Sequence, residues 1–145
     1  MGGVLNTFYI FFCNEKVYKW RKKILLQNEK HCFAAKSMKL QDGTEYLLTL
    51  ENLYSYIDTN FCFLNYKEIC ENVPNISSCI EYYTDINPKN NILFDIISCV
   101  TVIKKLLGIN NIFIQTPNQL KNYLLKKGGK VIWELYLEKS LTLLH

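Results

Sequence analysis

Apolar positions along this chain switch between two periods, and the switches mark its elements. Phe8–Cys13 is aromatic and β-branched with no charge, which predicts a strand buried on both faces. From Glu15 to Gln27 the spacing lengthens: Val17, Trp20, Ile24 and Leu25 share one side of a helix. Asn14 is placed to cap it, and Asn28-Glu29-Lys30 is a loop. His31–Lys39 is a second strand, Asp42-Gly43 marks a hairpin turn, and Glu45–Leu50 returns antiparallel. Glu51-Asn52 interrupts the pattern.

Leu53–Leu64 predicts a strand or two around Asp58-Thr59-Asn60, and Lys67–Val73 a short helix ended before Pro74. Ser78–Thr84 is a further strand, followed by a turn at Asn87-Pro88-Lys89-Asn90. In Asn91–Gly108, Val102, Ile103, Leu106 and Leu107 recur at helical spacing, with Ser98 as N-cap and Gly108 as C-cap. Asn111–Gln115 is a brief extended piece. Thr116-Pro117 opens a last helix through Leu120, Tyr123, Leu124 and Leu125, stopped by Gly128-Gly129. Lys130–Leu137 is a final strand, and Thr142–His145 a tail or edge strand. Runs of strands followed by helices predict an α+β fold with an antiparallel sheet, in one domain over residues 1–145.

Composition narrows the function classes. The 145 residues are 49% hydrophobic and 21% charged, with a net charge of +4. Lys16, Lys19, Arg21, Lys22 and Lys23 cluster in one helix. That cluster reads as a solvated helix face, with contact to phosphate or an acidic surface as the alternative. No nucleic-acid-binding motif accompanies it. No apolar run reaches the ~18 residues of a membrane span, and no signal peptide is visible. The expected setting is reducing, with free thiols. The six cysteines show no metal spacing, and neither metal nor other cofactor is implied.

The candidate chemistry centres on Cys99. A cysteine in the first turn of a helix faces unpaired backbone N–H groups and the positive end of the dipole, which favour the thiolate. A base must accompany a thiol nucleophile. Of two histidines, His145 is terminal, so His31 is the internal partner. A third polar group usually orients the imidazole. The end of the antiparallel return strand brings Glu51 or Asn52 level with His31. Cys13 and Cys32 read as small hydrophobes in apolar strands. Cys62, Cys70 and Cys79 show no spacing logic, and Trp20 and Trp133 are core anchors.

A strand that begins with histidine, a hairpin partner with a polar residue, then a cysteine at a helix N-terminus resembles the circularly permuted papain-like proteins. These include NlpC-type hydrolases and the lecithin retinol acyltransferase-like group. Lys30-His31-Cys32-Phe33-Ala34, Cys99-Val100-Thr101-Val102-Ile103-Lys104-Lys105-Leu106-Leu107-Gly108 and Thr116-Pro117-Asn118-Gln119-Leu120 also resemble small uncharacterised bacteriophage proteins. The resemblance spans roughly residues 8 to 125. It departs from the acyltransferases, because Met38 and its neighbours offer no second histidine. It implies a nucleophile-bearing helix packed on one face of the sheet. It further implies a peptidase- or peptidoglycan amidase-type hydrolase, or an acyltransferase, acting on an amide or ester of a peptide, peptidoglycan or protein substrate. The location implied is host cytoplasm or virion. The alternative is a non-catalytic accessory or virion component of the same shape, meeting other phage virion proteins.

Overall fold

The aromatic run at residues 8–13 forms the heart of the sheet. The computed structural model describes residues 6–14, 31–53, 56–73, 75–85 and 98–135, leaving aside the side chains at 52, 53 and 56–58. Strands β1 (Asn6–Cys13), β2 (His31–Lys39), β3 (Glu45–Leu53), β4 (Tyr56–Cys62), β5 (Ile76–Thr84) and β6 (Lys130–Glu134) make one sheet in the order β4-β3-β2-β1-β5-β6. Each neighbouring pair is antiparallel. With helices α1 (Tyr66–Asn72), α2 (Cys99–Leu107) and α3 (Pro117–Lys126), the architecture is α+β.

Side chains of β1 alternate between two cores. Phe8, Ile10 and Phe12 join Cys32, Ala34 and Ile80 beneath α2 and α3, which contribute Val100, Ile103, Leu107, Leu120 and Leu124. Phe11 and Cys13 join Phe33, Ala35, Leu47, Cys79 and Trp133 on the other face, closed by Ile69 and Cys70 of α1. Because both faces are covered, Ile10, Phe11 and Phe12 lose all exposure. Each such side chain contributes about 1.5–3 kcal/mol of burial free energy. Phe11 also stacks on Phe33 at 4.7 Å between centroids.

Local chemistry sets the boundaries. Gly43 in the β2–β3 turn has φ 88°, and the Asp42 carboxylate accepts the Thr44 N–H at 2.8 Å. At α3, Thr116 and Gln119 form a reciprocal capping box, with Pro117 at the first helical position.

Two expectations change. Glu51 and Asn52 do not interrupt the chain: β3 runs through them to Leu53, because β4 pairs alongside, Glu51 with Asp58 and Asn52 with Ile57. Of the strand or two expected around Asp58–Asn60, the structure forms one, β4. Residues 111–115 turn instead of extending. The Asn111 side chain accepts the Phe113 N–H at 2.9 Å, and the buried Lys104 ammonium donates to the Ile114 carbonyl at 3.0 Å. The helix expected at 15–27 with its basic cluster and Trp20, the turn at 87–90 and the tail at 142–145 lie outside the described residues. Among the described residues no helix is long and apolar enough to cross a membrane.

Candidate active site

Cys99 owes its position to the caps of α2. Ser98 is extended (φ −140°, ψ 168°), and its Oγ accepts the Thr101 N–H at 3.2 Å. Gly108 takes the left-handed conformation (φ 69°), and the Ile109 N–H closes on the Lys104 carbonyl at 2.8 Å. Between these ends α2 lays Val100, Ile103 and Leu107 on the sheet, and Cys99 packs partly buried against the same core. Its backbone N–H is at the first helical position, where no intrahelical acceptor exists.

His31 is the first residue of β2, opposite Cys13 of β1. Its ring therefore sits at the end of the sheet rather than inside a core. The β2–β3 ladder pairs Ala34 with Leu50. Continuing that register sets Glu51 diagonal to His31, within reach of long side chains. His31 Nε2 donates to Glu51 Oε1 at 2.7 Å. The histidine side chain is only 12% exposed and the glutamate 33%, so water screens this pair incompletely. Of the two candidates for the third position, Glu51 is the one seen to reach the His31 ring among the described side chains. The side chain of Asn52 lies outside the described residues.

The imidazole also bonds to Cys99. With Nε2 occupied by Glu51, Nδ1 is the nitrogen left for the sulfur. The Cys99 thiol is pulled from the ordinary cysteine value down to about 4. The largest cause is a hydrogen bond from the Cys32 thiol, followed by the His31 hydrogen bond, the Cys32 backbone N–H and the charge of the imidazolium. Together they outweigh burial, which pushes the other way. The Cys99 thiol is thus favoured to ionise near neutral pH, beside an imidazole that is hydrogen-bonded to a carboxylate.

Cys32 is the residue that sequence reasoning missed. It was expected to be a small hydrophobe, and it is buried, but its thiol donates to Cys99. The signal was present in strand alternation. Cys32 follows His31, so it faces the side of the sheet that α2 covers. Cys70 and Cys79 also meet: Cys79 keeps its proton and donates to Cys70, and desolvation is the main reason its pKa rises. Cys13 and Trp133 are buried as expected.

On the α1 face, His31 and Glu51 open into a cleft of about 490 Å³ lined also by Cys13, Phe33, Phe61 and Leu64. No group of three metal-ligating side chains occurs among the described residues. Comparisons with protein-family models, curated proteins and solved structures find no match for this chain.

Proposed function

We propose that the protein is a cysteine hydrolase or acyltransferase acting on an amide or ester bond, with Cys99 as nucleophile, His31 as acid–base and Glu51 as the positioning residue. The observation that carries this reading is the chain of contacts from the Cys99 sulfur to the His31 ring and on to Glu51 at 2.7 Å. The Cys99 thiolate attacks the substrate carbonyl, and the Cys99 backbone N–H is one donor for the developing oxyanion. His31 gives its proton to the leaving amine or alkoxide. It then takes one from water, or from an acceptor alcohol or amine, which attacks the thioester. Glu51 holds the ring in the tautomer that keeps Nδ1 towards sulfur.

The finer reading of the fold is a permuted papain-like domain. What supports it is order and placement: the His31 strand precedes the Cys99 helix, and that helix packs on one face of an antiparallel sheet. The substrate class that goes with it is a peptide, peptidoglycan or protein amide, and the setting a phage protein in the host cytoplasm or virion. A non-catalytic virion role is favoured by one feature. Phe61 and Phe63 are each 71% exposed beside Tyr46, which suits a partner surface.

Incubation with p-nitrophenyl acetate separates the two. The hydrolase reading predicts an acetyl thioester on Cys99 by peptide mass mapping, together with steady release of nitrophenol. Acetyl groups spread over several residues, with no turnover, contradict it.

A further inference from the structure

We propose that Cys99 and Cys32 form a peroxide-reactive dithiol, in which a hydroperoxide oxidises Cys99 to a sulfenic acid and Cys32 then closes a disulfide with it. Two features of the geometry carry this. The two residues share one core beneath α2, and the Cys32 thiol already donates to the Cys99 sulfur. Closure therefore asks for a small approach, from hydrogen-bond contact to an S–S bond of about 2 Å. Cys99 is also the half-buried member, whereas Cys32 is buried. Of the two residues, Cys99 is thus the one with surface open to a small oxidant.

The chemistry balances with groups at hand. The Cys99 thiolate attacks the outer oxygen of the hydroperoxide, and the O–O bond breaks. The departing alkoxide or hydroxide takes a proton from the His31 imidazolium and leaves as alcohol or water. Sulfur has lost two electrons and the peroxide has gained them. The Cys32 sulfur then attacks the sulfenic sulfur, the S–O bond breaks, and the hydroxide leaves as water with the Cys32 proton. The depressed pKa of Cys99 supplies the thiolate this sequence begins from. Cys70 and Cys79 are the internal contrast. They also meet, yet Cys79 holds its proton, and both are buried. This pair stays reduced. If the hydrolase reading holds, the disulfide also switches that activity off, but the dithiol stands on its own.

The test treats the folded full chain with hydrogen peroxide near neutral pH, blocks remaining thiols with N-ethylmaleimide, and maps unreduced peptides. The expected result is loss of two of the six thiols, a Cys32–Cys99 cross-linked peptide, and recovery of both thiols with dithiothreitol. In Cys32→Ala the cross-link is absent and dimedone labels Cys99. Oxidation that links Cys99 to another cysteine, or that carries Cys99 to sulfinic acid in the wild type without a disulfide, overturns the proposal. The wild-type map needs no variant, so a folding defect in Cys32→Ala does not weaken it. A Cys32–Cys99 disulfide in a protein that fails to turn over p-nitrophenyl acetate supports the dithiol and contradicts only the hydrolase reading.

Discussion

Two cysteine pairs lie on opposite faces of the same sheet. Cys32 and Cys99 meet under α2, and Cys70 and Cys79 meet under α1. In each a thiol donates to a sulfur, and in each burial opposes ionisation. The outcomes are opposite: Cys99 falls to about 4, while Cys79 rises. What differs is the neighbourhood. Cys99 has the His31 ring and a backbone N–H beside it, at the open end of a helix and the end of a strand. Cys79 is central in β5, its other charged neighbour is Glu81, and that charge raises its pKa further. A thiol–thiol bond in a protein core is therefore not a reactive site. It becomes one where a cation and free backbone donors stabilise the anion.

The strongest way to break this contrast is to remove the histidine. His31→Ala takes away the ring that bonds Cys99 and its charge. Hydrolysis of p-nitrophenyl acetate is expected to fall by about 10²–10⁴-fold. The pKa of Cys99, read from the thiolate absorbance, is expected to climb towards the ordinary value. Glu51→Gln is milder, since the amide oxygen still accepts from Nε2 but carries no charge. Losing a charge-assisted bond is worth about 1–2 kcal/mol, so roughly a tenfold drop in kcat/KM is expected. The alkaline limb of the pH–rate profile should shift down, because the imidazolium that donates to the leaving group loses the carboxylate that favours it. Cys79→Ala sharpens the contrast from the other side and leaves activity unchanged. Its effect is on stability at alkaline pH. Native Cys79 keeps its proton while the unfolded chain loses it above about pH 8.5, so folding stability drops there by up to about 1.4 kcal/mol per pH unit. In Cys79→Ala this alkaline loss should be absent from urea unfolding curves.

Much of this arrangement was legible in the sequence, because it depends on local rules. Ser98, Gly108, Thr116-Pro117 and Asp42-Gly43 mark their caps and turn, and each is found there. The strand order of His31 before Cys99, and the hairpin that returns Glu51 to His31, also follow from local pattern. Longer-range facts were not legible. That β4 would pair with Glu51 and Asn52 depends on a strand partner, not on their own propensity. The meeting of Cys70 with Cys79 joins α1 to β5 across a core. Cys32 lies between these cases: alternation aimed it at a face, but only the docking of α2 supplied Cys99 there.

The central claim is that Cys99 is ionised where Cys79 is not, and a pH series of site-resolved iodoacetamide labelling addresses it most directly. At about pH 5.5 an ordinary thiol is only about one part in 10³ thiolate, whereas a low-pKa thiolate gives up about 10² in intrinsic nucleophilicity, leaving a net advantage of roughly tenfold. Labelling of Cys99 should therefore dominate at that pH, stay nearly flat up to pH 9, and fade only as pH drops towards 4. A Cys99 rate that is negligible at mildly acidic pH and rises steadily through pH 8–9, as for an ordinary thiol, would contradict the account.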